Sequence, residues 1–392
     1  MMRDSWPNWF TVGLPQYFLV EPCTVLPRLL SRLTEDVLLL VLLLALLPLW
    51  WWSGRAWQEL PSLVDWRTVA ALAGLMVLSR ALEESGYLTA FGQRLIAGAK
   101  GQRRLALLLV WLSAALAAVV TNDVALFIVV PLTLSLRAVA DLPVGRLVIF
   151  EALAVNAGSA VSPMGNPQNL FMWQFWSIGF GDFLLAMLPL AAALMAVLSL
   201  LVLFAFPAHA LASHPQPASL PRDRSLLWLA LLLYPPFLLA TDMGYAVAAA
   251  LIVLGLFLCR FRAVLAGIDW LLLLVFVLMF VDLGLLAGLP ALQTLVPTAL
   301  LAVPGGEFSV GIGLSQVISN VPATLLLAAF TDDWRTLAWA VSVGGFGVAI
   351  GSLANLIALR LARQPGLWRE FHLWSGIMLV AGWAVAVVLL PS

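Results

Sequence analysis

Charge is scarce in this sequence. Only 10% of its 392 residues are Asp, Glu, Lys or Arg, they balance to zero, and a single lysine, Lys100, stands among the 20 basic residues. With no basic excess there is no electrostatic footprint for nucleic acid, and the basic residues matter by position rather than by sum. Cysteine is nearly absent. Cys23 and Cys259 lie far apart, which excludes a disulfide framework and a CxxC metal or redox pair. Histidine is limited to His209 and His214, in a proline-rich stretch, and His372, at the end of an apolar run. Without HExxH or GxSxG, no base is in sight for an enzyme working in an apolar core, so neither catalysis nor a bound cofactor or metal is expected.

Apolar residues are abundant instead: 63% of the chain, with a mean hydropathy of +1.03, against roughly 45 to 50% in a soluble domain. The chain is therefore expected to be an all-α polytopic membrane protein with lipid as its surroundings. A helix through about 30 Å of hydrocarbon takes about 20 apolar residues. The first such run, Val37 to Trp52, ends in the interfacial cluster Trp50-Trp51-Trp52. It follows a preamble, residues 1–34, whose four prolines make it too irregular for a cleaved signal peptide. Trp66 to Leu82 reads as a second span and Gly86 to Lys100 as an interfacial helix.

The first repeat, 35–206, then carries two unusual segments. Residues 105–137 are largely apolar, with polar Thr121-Asn122-Asp123 at the middle. Two crossings would need roughly 40 residues and one only about 20, so a re-entrant hairpin fits this length, with one span carrying a capped kink as the alternative. Residues 147–180 are broken at Asn156–Asn169 by prolines, glycines, amides and hydroxyls, which predicts a discontinuous helix lining a cavity. Asp182 to Phe206 is a plain span. A linker at 207–224, read as cytoplasmic, divides the chain. The second half, 225–392, has short spans at Leu226–Ala240 and Tyr245–Leu258 and a span at Trp270–Leu289 containing Asp282. A hairpin at 308–331 around Ser319-Asn320, a broken helix at 337–361 with Ser352 and Asn355, and a last span at Leu373–Leu390 follow.

The halves align as an internal repeat. Asp65-Trp66 matches Asp269-Trp270, Thr121-Asn122 matches Ser319-Asn320 at a separation of 198, and Asn169-Leu170 matches Asn355-Leu356. With the N-terminus in the cytoplasm, all basic residues but Arg55, Arg67 and Arg335 fall inside. The hairpins then enter from opposite sides, giving two inverted repeats, each with a re-entrant hairpin and a discontinuous helix.

Inverted repeats with broken helices meeting in mid-membrane are the arrangement of secondary transporters. Polar side chains there are costly unless they face a cavity or a partner. Thr121, Asn122, Ser319 and Asn320 can donate and accept at one site; Asn156, Ser159, Ser162, Asn166, Gln168 and Asn169 can complete it, and Gly165 lets backbone approach a ligand. Ser352 and Asn355 are the second-half counterparts. Small and amide residues also serve as glue between helices, which is the alternative. Asp123 is a candidate for ion coupling, or an N-cap of the second hairpin arm, or both. Asp282 is a second coupling candidate, and Glu151 is a weaker one.

The motifs Thr121-Asn122-Asp123-Val-Ala-Leu, Asn156-Ala-Gly-Ser with Ser162-Pro-Met-Gly-Asn-Pro-Gln-Asn-Leu170, and Ser315-Gln-Val-Ile-Ser-Asn-Val-Pro-Ala323 resemble those of the ion transporter superfamily. The likeness is to its arsenite permease and NhaD-type group with citrate-transporter-like relatives, in particular the anion permease branch. The resemblance implies a secondary transporter of a small carboxylate or oxyanion in the inner membrane, coupled to H⁺ or Na⁺, with a sodium ion near Asn122 and Asn320 and a homodimeric assembly. Related dicarboxylate carriers have Ser-Asn-Thr at both tips; Asp123 and Val321 depart from that pattern. A Na⁺/H⁺ antiporter is the competing expectation, and a channel or an intramembrane enzyme the remote ones.

Overall fold

A computed structural model describes residues 37–136, 142–210, 221–362, 364 and 366–390. The preamble 1–34 with Cys23, and residues 211–220 of the linker with His214, lie outside the described residues. The described chain is helical throughout, with no strand beyond one bridge pair, Gly101 and Ala210.

The helices of the first half are α1 (Val37–Ser53), α2 (Trp66–Glu84), α3 (Tyr87–Ala97), α4 (Gln102–Val119), α5 (Asn122–Ser135), α6 (Val144–Ser159), α7 (Pro167–Phe175) and α8 (Phe180–Ala205). The second half has α9 (Arg224–Asp242), α10 (Ala246–Arg260), α11 (Arg262–Ala266), α12 (Trp270–Ala287), α13 (Pro290–Ala302), α14 (Gly306–Ile318), α15 (Asn320–Leu327), α16 (Trp334–Gly344), α17 (Leu353–Ala362) and α18 (Leu367–Leu389). The series α2 to α8 and α12 to α18 run in the same order: helix, short helix, two hairpin arms, a helix broken in two, and a long closing helix. Helix α13, for which the sequence offered no expectation, is the counterpart of α3.

The repeat extends to the capping chemistry. Asp65 accepts from the N–H groups of Arg67 and Thr68, and Asp269 from those of Leu271 and Leu272, so each carboxylate satisfies free donors of a first turn. The indole of Trp66 donates to the Pro61 carbonyl at 3.0 Å and that of Trp270 to the Leu265 carbonyl at 2.9 Å. Asp223 caps α9; the Ser225 hydroxyl and the Leu226 N–H hold its carboxyl below the usual carboxylate range.

Among the described residues five helices are long and apolar enough to cross a membrane, α4, α8, α9, α12 and α18. Counting each bent pair as one span raises this to seven: α1 turns through 113° into a 3-10 segment at Trp57–Leu63, and α13 through 119° into α14. Helix α2, expected as a span, carries Arg67, Arg80, Glu83 and Glu84 at its ends and is buried along its middle against α9 and α10. The two hairpins are real hairpins, α4 lying on α5 and α14 on α15; that packing decides against one kinked span at 105–137. The halves interlock: α17 packs on α5 and α6, α15 on α7, and α18 on α6 and α8. Large buried aromatics fill the joints, and their polar atoms are paired: Trp173 donates to Asp242 and Trp339 to the Ala186 carbonyl.

Candidate functional site

Each hairpin tip is a place where a helix stops and another begins. Helix α4 ends at Val119, whose carbonyl accepts from the Tyr234 hydroxyl at 2.8 Å. Thr121 occupies the N-cap position of α5, and the Asn122 N–H donates to the Gly165 carbonyl at 2.9 Å, tying the tip to the broken helix. Asp123 is not the N-cap: it sits inside the first turn, and its own N–H donates to the Asn122 side-chain oxygen at 2.9 Å. Its carboxylate is left for the cavity described below. At the second tip Ser319 has φ +75° and ψ 155°, a region that costs a non-glycine residue about 1–3 kcal/mol. Its hydroxyl is buried without a partner.

The breaks in the two discontinuous helices are held by amides. In the first, Asn166 caps α7, its side-chain oxygen accepting from the Asn169 N–H at 2.8 Å while its amide donates to the Ser159 hydroxyl at 3.3 Å. Asn169 is fully buried and its amide donates to the carbonyls of Ser159, Ala160 and Ser162 at 3.1–3.2 Å. The first two belong to the end of α6, which leaves them open; the third lies in the break and also accepts from the Gly165 N–H at 3.3 Å. The Ser162 hydroxyl donates to the Ala118 carbonyl at 2.7 Å. At Gly165 a Cβ would stand 2.3 Å from the Ser159 carbonyl oxygen, so only glycine fits this close approach. In the second break Asn355 donates to the Gly345 carbonyl at 2.9 Å, and Gln316 both donates to the Gly344 carbonyl at 2.7 Å and accepts from the Val348 N–H at 3.0 Å. One amide joins the halves: Asn156 donates to Asn355 at 2.7 Å and accepts from the Ser352 hydroxyl at 2.9 Å.

Asn169 therefore holds backbone, and its loss should show as loss of fold. Asn169→Leu takes the side-chain donor from the Ser159 and Ala160 carbonyls, each worth about 1–3 kcal/mol when stranded, while the Ser162 carbonyl keeps the Gly165 N–H. Thermal unfolding in detergent should drop by several degrees or the protein should fail to purify as a single species. An unchanged melting temperature would contradict this role.

Between the tips and the breaks lies one small cavity. Asn122 and Asp123 open α5, Pro167 and Gln168 open α7, Asn320 and Val321 open α15, and Ser352 and Leu353 open α17; all eight line it, with Leu272 and Phe276 of α12 as an apolar wall. Four helix N-termini thus converge on one point. Each brings the positive end of a helix dipole, roughly half a charge, and although the N–H groups of Asn122, Asp123 and Asn169 already have partners, the summed dipoles make the point attractive to an anion. Asp123 places a carboxylate among them, so a cation or a proton can bind beside the anion. The cavity volume is about 10 Å³, on the scale where one water needs roughly 10–15 Å³.

Of the residues expected at the site, Asn122, Asp123, Gln168, Asn320 and Ser352 face this cavity. Thr121, Asn156, Ser159, Ser162, Gly165, Asn166, Asn169, Ser319 and Asn355 form the tips, breaks and bridges that hold them. Asp282 is elsewhere: it lies about 9 Å beyond Phe276 along α12 at 1.5 Å per residue, buried, with neither carboxylate oxygen partnered. Sequence reasoning missed Pro167, Leu272, Phe276, Leu353 and Val321 as lining, and Gln316 as the clamp of the second break. Among the described residues no three His, Cys, Asp or Glu side chains gather as a metal centre.

The citrate transporter family model matches residues 29–344 of the chain. The chain is 44% identical over 340 residues to the inner membrane protein YbiR of Escherichia coli (strain K12), covering 86% of this chain and 91% of that protein. It is 30% identical over 329 residues to an uncharacterized transporter of Methanocaldococcus jannaschii, covering 82% and 88%. Similarity to the silicon efflux transporter LSI3 of Oryza sativa subsp. japonica, 31% over 140 residues, covers 36% of this chain and 29% of that one.

Proposed function

Because this chain belongs to the citrate transporter family and is an integral, multi-pass membrane protein, we propose that it is a secondary active carrier of a small anion, a carboxylate or an oxyanion, coupled to H⁺ or Na⁺. The observation that carries this reading is the convergence of the first turns of α5, α7, α15 and α17 on one cavity. Partial positive charges from four helices favour a negatively charged cargo. Asp123 then supplies the coupling position, since a carboxylate beside a bound anion is tolerable only with a proton or a cation on it.

Transport proceeds by alternating access. The hairpins and the broken helices bear the site, and α2, α9 and α10 pack together beside it as a scaffold. Citrate, the cargo in the family's name, is many times larger than one water, so a cargo of that size enters only when the tips separate. The N-terminus is placed in the cytoplasm and the chain in the inner membrane, surrounded by lipid and paired as a homodimer. A Na⁺/H⁺ antiporter is the second reading, favoured by Asp123 lining the cavity. Vesicles that show Na⁺-dependent pH changes with no anion added would select it.

The test is thermal stabilisation of detergent-purified protein across a panel of small carboxylates and oxyanions, each with and without Na⁺ and at two pH values. A ligand that binds only the folded state at 100 times its Kd contributes about 2.7 kcal/mol, a shift of several degrees. One anion class should stabilise the protein, more so with Na⁺ or at low pH. Stabilisation by Na⁺ or Li⁺ alone, with no anion effective, would overturn the carrier reading in favour of the antiporter.

A further inference from the structure

Glu151 is fully buried in the middle of α6. Its Oε1 accepts a hydrogen bond from the hydroxyl of Thr133, on the second arm of the first hairpin, and its Oε2 is buried with no partner. The charged groups on its own helix and on the helices packed against it are Arg103, Arg104, Asp123, Arg146, Asp182, Arg360, Arg369, Glu370 and His372. None of them is a hydrogen-bond or ion-pair partner of Glu151. Arg146 is taken by Glu370 and the Ala205 carbonyl, and Arg103 by the Phe206 carbonyl. An ionised carboxylate in such a place, with one neutral donor for company, is far costlier than a neutral carboxyl.

The second hairpin repeats the arrangement. Thr331 stands 198 residues after Thr133, the same separation as the two hairpin tips. Its hydroxyl donates to Glu307 Oε2 at 2.6 Å, and Glu307 Oε1 is likewise buried without a partner. The glutamates come from different elements, α6 in one case and the first hairpin arm α14 in the other, while the threonines are register-matched. A threonine–glutamate clasp at the foot of each hairpin is thus built twice by different routes. Thr133 lies about 16 Å along its arm from Asn122 at 1.5 Å per residue, well away from the cavity.

We propose that Glu151 is a proton-binding site at the foot of the first hairpin, separate from Asp123, and that its proton leaves only when hairpin and broken helix part enough to admit water. While Thr133 and Glu151 are clasped, the carboxyl is neutral and the joint is dry. Deprotonation leaves a carboxylate that must be hydrated, so proton release and separation of α5 from α6 are one event. This extends the carrier reading by naming the proton as a coupling ion and giving it a second seat.

Infrared difference spectroscopy of the purified full-length chain tests this, because only protonated carboxyls show the high-frequency C=O stretch. Stepping the pH upward should remove one such band in the wild type; that band should be missing from Glu151→Gln, still present in Asp123→Asn, and moved to higher frequency in Thr133→Val, which loses the hydrogen bond. Spectra of Glu151→Gln matching the wild type, or a Glu151 band that stays at every pH, would overturn the proposal. Should Glu151→Gln not purify as a single species, the frequency shift in Thr133→Val decides alone. No transported anion is needed, so failure here and failure of the anion panel are read separately.

Discussion

Asp123→Asn in proteoliposomes abolishes gradient-driven uptake of whichever anion stabilises the protein, while exchange of that anion across the membrane without a gradient continues. The asparagine keeps the shape of the side chain and removes its charge. Taking one member from a close, desolvated charge pair costs on the order of 3 kcal/mol, or about 100-fold in affinity for the cation. Uptake driven by Na⁺ or H⁺ should therefore fall to background. Stabilisation by the anion should survive, because the four helix N-termini at the cavity are untouched; its dependence on Na⁺ should vanish, and any pH dependence that remains should be that of Glu151. Retained ion coupling in this variant would remove Asp123 from the mechanism and leave Glu151 or Asp282 to supply it.

The second large effect is expected at Gly158, one residue before the end of α6. A Cβ there would stand 2.4 Å from both the Cα and the carbonyl oxygen of Ala114 in the hairpin arm α4. Those are backbone atoms, so no change of rotamer relieves the contact and the two helices must move apart. Overpacking of this kind costs about 1–3 kcal/mol, and here the upper end is expected. Close helix approach through small residues is how packing is achieved in lipid, where apolar contact alone gives little drive. Gly158→Ala should lower the melting temperature by several degrees and suppress transport even in the fraction that folds, since the break that holds Gln168 in place begins two residues later. Gly255→Ala in α10, where nothing lies within 4 Å of the added methyl, is the control and should be nearly neutral. Equal behaviour of the two variants would contradict the close packing of α4 on α6.

The parts of this architecture that could be read from the chain are those where polarity interrupts an apolar run. Thr121-Asn122, Ser319-Asn320 and the stretch from Asn156 to Asn169 announce themselves because lipid does not tolerate unpaired polar groups. What such letters do once buried is not legible. Asn169 and Asn122 are the same residue type in the same kind of surroundings, yet one feeds three carbonyls and the other lines the cavity. The difference lies in which carbonyls a broken helix strands, and that depends on three-dimensional placement. Leu272, Phe276 and Leu353 were invisible for the opposite reason: apolar letters in a membrane chain look the same whether they face lipid or a ligand. Helix α13 was passed over because Pro290 and Pro297 obscure a short helix that starts with one and accommodates the other. The Thr133–Glu151 clasp joins residues 18 positions apart on two different helices, a pairing that no local periodicity signals.

The size of the central cavity bears on the cell's energy supply. A space with room for about one water cannot hold a hydrated ion, so such an ion enters this cavity only after shedding its water or once the helix ends move apart. A cell keeps ion gradients across its membranes as stored work, and every copy of a leaky membrane protein would drain them in proportion to its abundance. Four helix ends gathered over a single water's volume keep this one point too narrow for such a leak in every copy.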